Sequence, residues 1–248
     1  MAAAVEKKKV LNVDSFLKTL ESTNGRDKLG KLIQYVARFS AWYLAKYNPK
    51  DKESIAMATG VQKGVASARK LTRLLKWWPL LIKVYDACMK KGLNQPIVEL
   101  VRHLSALGFA NYFFWDGAGW AIGVGLMKGD SAKYSKWSMY GWFAALVFAM
   151  IADALDILKI VKQKQVEAKP AAGSETSAPA ASSSLSCTVC APCCNPVVKK
   201  YILNYAKNIS DCCIAAKGIQ IADFSEGWLG ICGIVAALVG FYELWPAQ

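Results

Sequence analysis

Three segments beyond residue 100 are apolar over lengths that can cross a membrane. They cover residues 104–127, 137–158 and 227–245. A helix that crosses the hydrocarbon core, about 30 Å thick, needs about 20 mostly apolar residues. One such segment also fits the core of a soluble bundle, but two or three in a chain of 248 residues favour the membrane. No alternating pattern indicates a sheet, so we predict an all-α integral membrane protein.

Two of these segments are the better candidates for transmembrane helices. Residues 227–245 begin and end near tryptophans, which belong at membrane interfaces, and residues 137–158 begin with one. The second segment contains Asp153 and Asp156, which are costly in lipid unless they lie near the interface or face other helices. Residues 104–127 contain Asp116 and several glycines. We therefore favour two spans, with 104–127 as a third span, a re-entrant hairpin or a buried interfacial helix.

Charge and composition divide the chain into four regions. Residues 1–91 contain 19 Lys and Arg against 7 Asp and Glu, so they carry nearly all of the net charge of +13. We predict a basic, cytosolic or interfacial helical region over 1–92 and an apolar helical hairpin over 93–162. A flexible Ala/Ser/Pro linker with a cysteine cluster then covers 163–196. A further helix and the last span complete the chain over 197–248.

The start of the chain predicts a cytosolic N-terminus. Its first residues carry three lysines and lead into a polar segment instead of the apolar run of a cleavable signal peptide. We predict a first helical region over Val13–Tyr47, with Asp14 or Ser15 as its N-cap and a break near Gly25.

A basic amphipathic helix is predicted over Ala68–Met89. At about 100° per residue, its apolar side chains lie between about 220° and 340°, and its basic ones lie between about 60° and 140°. We expect Pro79 to kink this helix. Opposed basic and Leu/Trp faces are typical of a helix that lies in the lipid interface; the alternative is a surface helix packed on the protein's own core. The predicted membrane-binding residues are Arg69, Arg73, Lys76, Lys83, Leu71, Leu74, Leu75, Trp78, Leu81, Ile82 and Tyr85.

The run Asn24 to Phe39, NGRDKLGKLIQYVARF, resembles the N-terminal signature of the peroxin-11 family. The basic amphipathic helix, the segment RHLSALG from Arg102 and the step Trp115-Asp116 follow the order of that family. The resemblance implies a multi-pass peroxisomal membrane protein that elongates the organelle before fission. It also implies insertion of the amphipathic helix, self-association into a homo-oligomer and recruitment of a dynamin-like GTPase. The Ala/Ser/Pro linker departs from animal and yeast members and suggests a protist protein, in which the organelle would be a glycosome.

The signature itself has a simpler interpretation in the residues alone. Its charged residues are spaced for local pairs on a helix surface, each of which contributes a few tenths of a kcal/mol. Leu29, Leu32, Ile33, Val36 and Phe39 form an apolar stripe suited to packing. We therefore assign the signature to helix packing or self-association. The six signature residues to which we assign this role are Gly25, Arg26, Asp27, Lys28, Gln34 and Tyr35.

Four of the eight cysteines cluster in the linker, and their chemistry stays open. The pattern allows acylation beside the membrane, free thiols, a redox-sensitive disulfide or, least favoured because no histidine accompanies it, a zinc site. The cluster consists of Cys187, Cys190, Cys193 and Cys194.

No pattern in the sequence indicates an enzyme or a cofactor site. The single histidine, His103, lies just before an apolar segment, and no phosphate-binding loop is present. A nucleic-acid binder is favoured only by net charge. We therefore expect remodelling of an anionic phospholipid membrane, with a pore for small metabolites as the alternative, motivated by Asp116 and the glycines near it.

Overall fold

The computed structural model describes residues 12–92, 94–167 and 196–246, and these form eight α-helices and no strand. The prediction of an all-α protein is confirmed. In chain order the helices are α1 Val13–Glu21, α2 Thr23–Tyr47, α3 Lys52–Leu71, α4 Trp77–Lys91, α5 Ile97–Gly123, α6 Ser131–Glu167, α7 Pro196–Gly218 and α8 Glu226–Leu244.

The first helical region is divided at Ser22, close to the predicted break. The Ser22 hydroxyl caps α2 by accepting from the amide of Gly25 at 2.9 Å. A Cβ atom on Gly25 would lie 1.9 Å from the carbonyl oxygen of Thr19, so the corner between α1 and α2 excludes any side chain there. The N-cap of α1 is Asn12, and the prediction of Asp14 or Ser15 is wrong by two or three positions. The Asn12 side chain reaches the amide of Ser15.

The predicted continuous helix over 68–89 is wrong. Helix α3 ends at Leu71, residues 72–76 form turns, and α4 begins at Trp77. Pro79 therefore lies in the first turn of α4, where a missing amide donor has no consequence because that donor has no partner within the helix. The chain breaks before the proline instead of kinking at it.

Six helices form a closed ring. Helix α2 packs against α3 and α8, α7 joins α8 to α6, and α6 packs along α5. Helix α5 completes the ring by contacting α3, and α4 lies outside it against α5. A cavity of about 870 Å³ lies within the ring, lined by residues of α2, α3, α5, α6 and α7.

Glycines set the closest helix contacts in the ring. A Cβ atom on Gly141 of α6 would lie 2.9 Å from the carbonyl oxygen of Gly108 of α5, so the two backbones touch. On α8, Gly233 receives the ring of Tyr35, to which an added Cβ would approach within 2.0 Å. Gly233 therefore permits the close contact between α2 and α8.

One helix of the described residues, α8, is long and apolar enough to cross a membrane by length and composition. The predicted span at 137–158 lies within α6, and the predicted count of two or three spans is not confirmed. Helix α6 continues to Glu167, which places residues 163–167 in a helix instead of the predicted linker. Residues 168–195 lie outside the described part of the chain, and with them Cys187, Cys190, Cys193 and Cys194.

Candidate functional site: a charged interior and an apolar exterior

A buried ion pair joins α2 to the end of α3. The Nε atom of Arg69 donates to Oδ1 of Asp27 at 3.0 Å, and its Nη1 donates to Oε1 of Gln34 at 2.6 Å. Arg69 is only 9% exposed and Asp27 only 8%, so water competes little for either group. The two signature residues thus fix the position of α3 on α2.

Arg73, in the turn after α3, extends this network to α5. Its Nη1 donates to the Tyr112 hydroxyl at 3.0 Å, and its Nη2 donates to Oδ2 of Asp116 at 3.2 Å. Asp116 also pairs with Lys70 at 3.0 Å. Two carboxylates, on α2 and α5, thereby hold three cations of the segment 69–73, and the ring of helices closes through these contacts.

The charges around Asp27 determine its protonation. Burial alone would raise the pKa of this carboxyl, but the guanidinium groups of Arg69 and Arg73 outweigh burial and hold the pKa below its ordinary value. Asp27 therefore stays ionised, and its negative charge pairs with both buried guanidinium groups.

A second buried pair lies one turn further along α2. The ammonium of Lys31 donates to Oδ1 of Asp211 on α7 at 2.5 Å, and Lys31 is 4% exposed. The pKa of Lys31 is lowered to about 8, because burial and the repulsion of Lys28 together outweigh the attraction of Asp211. The attraction of one carboxylate does not offset the loss of water around this ammonium.

The structure brings most of the signature residues to this interior. Gly25 forms the corner before α2, Asp27 and Gln34 bind Arg69, and Tyr35 packs on α8. Arg26 is the exception, because it is exposed and reaches only a backbone carbonyl. The other four residues thus pack within one chain, and a role of the signature in self-association stays a prediction.

The predicted apolar stripe of α2 does not pack inward throughout. Ile33 and Val36 are 44% and 45% exposed, whereas Asp27 and Lys31 on the opposite face are buried. Of the two predicted roles of the stripe, packing within the chain is not observed for Ile33 and Val36, because carboxylates and cations of neighbouring helices meet the charged face of α2. Self-association through these two residues stays a prediction.

Several residues of the site were not identified from the sequence, namely Lys31, Lys70, Tyr112 and Asp211. A signal was present in α2, where Asp27, Lys31, Gln34 and Arg38 recur every three or four residues and so share one face. Their partners on α5 and α7 are remote in sequence, and nothing local pairs them.

The predicted membrane-binding residues separate into two groups. Arg69 and Arg73 turn inward to the ion pairs, Lys76 donates to Oδ1 of Asn24 at 2.8 Å, and Leu74 lies against Gly117. These four contacts replace the predicted positions on two opposed faces of one helix, because the turn at 72–76 ends the helix that would have aligned these residues. The remaining predicted residues are exposed: Leu71, Leu75, Trp78, Leu81, Ile82, Lys83 and Tyr85.

Helix α8 divides its faces in a similar way. Gly227, Leu229, Gly230, Cys232, Gly233, Ala236, Ala237 and Gly240 are buried against neighbouring helices. Its large apolar residues point away from the protein, namely Trp228, Ile231, Val235, Leu238 and Tyr242. The fold thus defines an all-α protein with charged residues inside the ring and apolar side chains outside it.

This chain belongs to the peroxisomal biogenesis factor 11 (PEX11) family, whose sequence model matches residues 13–245. The resemblance to the peroxin-11 family is therefore confirmed. A peroxisomal membrane protein 11 homolog of Dictyostelium discoideum is 30% identical over 251 residues, which cover 94% of each chain. Peroxisomal membrane protein PMP30A of Candida boidinii is 28% identical over 95% of this chain and 94% of its own. Peroxisomal membrane protein 11B of Arabidopsis thaliana is 25% identical over 95% and 98%. No solved structure matches the chain.

Proposed function

We propose that this chain is a membrane protein of peroxisomes or glycosomes that remodels and elongates the organelle membrane and so promotes fission. The family and the names of the relatives support the location. The observation that supports the mechanism is a large apolar face on α4 that is exposed in the structure. Insertion of that face into the cytosolic leaflet is the proposed remodelling step.

Helix α4 has three faces when its residues are placed at about 100° intervals. Val84 lies on the face packed against α5 and is buried. A second face, about 100° away, is apolar and exposed, and Lys83 lies on a third face beyond it. The exposed apolar face consists of Trp78, Leu81, Ile82, Tyr85 and Met89.

The exposure of this face is large enough to matter energetically. Trp78 is 56% exposed, Tyr85 63% and Met89 69%, and Leu75 in the preceding turn is 73% exposed. Burying a large apolar side chain contributes about 1.5–3 kcal/mol, and a lysine beside an anionic leaflet adds about 1 kcal/mol. A helix anchored on α5 and inserted to a shallow depth would widen one leaflet relative to the other.

Topology and partners are part of the same proposal. The chain would be multi-pass, with α8 and the apolar part of α6 crossing the membrane and the N-terminus in the cytosol. Homo-oligomers would concentrate the inserted helices, and a dynamin-like GTPase would complete fission, as the family resemblance implies. Protease protection of tagged termini on intact organelles tests the topology.

The test of insertion uses the full-length chain reconstituted into anionic liposomes. Replacing Trp78, Tyr85 and Met89 together by serine should abolish tubulation seen by electron microscopy, since the apolar face is lost. The matched control is Met57→Ser in α3, where the side chain is 66% exposed and lies outside α4. Tubulation that survives the triple replacement, with equal protein in the liposomes, would contradict the proposal.

The attraction between α4 and anionic lipid must be tested at basic residues other than Arg69 and Arg73, which the sequence suggested. Charge reversal at Arg69 or Arg73 would disrupt the buried network and so could not report on lipid. Lys83→Glu and Lys90→Glu change exposed charges only. We expect them to weaken tubulation of anionic liposomes and to leave neutral ones unaffected.

A pore for small metabolites is a second candidate function, and the cavity within the ring favours it. Asp116, whose charge motivated this alternative, lines the cavity and is paired with Arg73. Purified chain that oligomerises but gives no conductance in planar bilayers would exclude this function.

A further inference from the structure

The cavity within the ring has a strong excess of positive charge. Its lining includes three carboxylates, those of Asp27, Asp116 and Asp211. The same lining includes nine cationic side chains, which are Lys28, Lys31, Arg38, Arg69, Lys70, Arg73, Lys136, Lys207 and Lys217. A cavity with this composition attracts anions.

Carboxylates behind the lining reduce the excess but do not remove it. Arg38, Lys207 and Lys217 each pair with a carboxylate that does not line the cavity, those of Glu226, Glu243 and Asp223. Six carboxylates therefore face nine cations. Within the described residues, Lys28 and Lys136 have no carboxylate at ion-pair distance. The third excess charge belongs to the segment 69–73, where three cations share two carboxylates.

The excess is most concentrated where α2 meets α7. Lys28 lies one turn before Lys31 on α2, and Asn208 lies one turn before Asp211 on α7. The pair Lys31–Asp211 brings these turns together, and burial lowers the pKa of both lysines. The nearby charge of Lys207 also lowers the pKa of Lys28. Two ammonium groups that lose water beside each other are costly unless an anion joins them.

Asn208 provides an independent observation at the same place. Its side chain lines the cavity and is only 6% exposed. Its amide makes no hydrogen bond to any residue that the structure describes. Because polar groups in protein interiors are nearly always hydrogen-bonded, this amide is available to bind whatever polar group occupies the cavity, water or ligand.

We propose that this part of the cavity binds a phosphate group, held by Lys28, Lys31 and the side-chain amide of Asn208. A phosphate presents more acceptor oxygens than a carboxylate and suits donors that converge from two helices. The phosphate belongs either to a lipid headgroup or to a small soluble molecule. The site is independent of membrane insertion by α4, and neither the family match nor the relatives' names include it.

The test uses the full-length chain in maltoside micelles, which contain no phosphate, with binding followed by isothermal titration calorimetry. Inorganic phosphate and dioctanoyl phosphatidic acid are titrated separately. Saturable binding of inorganic phosphate assigns the site to a soluble ligand, and binding of phosphatidic acid alone assigns it to a lipid. Either result supports the proposal when Lys28→Met weakens binding at least ten-fold.

Two further variants make the result specific. Lys63→Met removes an exposed lysine of α3 and should leave binding unchanged. Asn208→Asp keeps the shape of the side chain but adds a negative charge, and should weaken binding even if Lys28→Met fails to fold. Absence of saturable binding by either probe would overturn the proposal, as would equal affinity in the wild type and in folded Asn208→Asp.

Discussion

Helices α2 and α4 both combine basic residues with large apolar ones, but they present opposite faces to the rest of the protein. In α2 the charged face is buried, with Asp27 and Lys31 paired inside, while Ile33 and Val36 point outward. In α4 the exposed surface includes both Lys83 and a row of large apolar side chains. Amphipathicity alone therefore does not determine orientation.

The difference follows from the groups that each helix meets. The charged face of α2 finds an arginine on α3 and a carboxylate on α7, so its charges are compensated when they are buried. Helix α4 meets α5 through an apolar face, with Val84 buried and the Trp77 ring against Phe114. Lys83 and Lys90 are exposed, and so is the apolar face of Trp78, Tyr85 and Met89.

Loss of the central carboxylate of α2 should have the largest effect on stability. Asp27→Leu leaves Arg69 and Arg73 buried with one carboxylate fewer, and we expect a loss of about 3–5 kcal/mol. Thermal unfolding of the full chain in maltoside micelles measures it. Asp86→Asn on α4 is the matched control, and we expect a change within about 0.5 kcal/mol. Equal losses would contradict the assignment of α2 as the helix with the buried charge.

The contact between α2 and α8 should be the next most sensitive. Gly233→Ala places a methyl group against the Tyr35 ring and should destabilise the chain by about 1–3 kcal/mol. Ile231→Ala, on the outward face of α8, should have a much smaller effect in the same melting experiment. A stable Gly233→Ala chain would show that α2 and α8 do not pack as described.

The interior of α2 also predicts a pH dependence. Because the pKa of Lys31 is lowered to about 8 from 10.5, the folded chain releases this proton more readily than the unfolded chain. The stabilising contribution is fully present above about pH 10.5 and is lost as the pH falls through about 8. Relative to Lys31→Met, the folding equilibrium of the wild type should rise roughly 300-fold over this window, a factor of ten for each pKa unit between the unfolded and the folded value. A flat difference would contradict a buried, charged Lys31.

The smallest stability effect separates the two apolar faces of α4. Val84→Ala removes packing against α5 and should cost about 1 kcal/mol. Ile82→Ala, on the exposed face, should leave the melting temperature in maltoside micelles unchanged while weakening liposome binding. A larger stability loss from Ile82→Ala would indicate that this face packs against protein.

The sequence allowed much of the fold to be predicted. Hydrophobic lengths and turn residues located the helical regions, including the end of α2 at Tyr47 and α7 near its observed bounds. The orientation of α2 and the break at 72–76 could not be predicted, because both depend on Asp116 and Asp211, far away in sequence. The signature from Gly25 to Tyr35 indicated packing correctly, but its charges gave no indication of a cavity.

The most direct test of the orientation proposed for α4 is photo-crosslinking with benzoylphenylalanine at position 85 of the full chain in anionic liposomes. Tyr85 lies in the middle of the exposed apolar face, and Lys83 lies on the polar face of the same helix. Irradiation should give lipid adducts, identified by mass spectrometry, from position 85 and few from position 83. Adducts to protein alone from position 85, or equal lipid labelling at both positions, would contradict insertion of this face into the membrane.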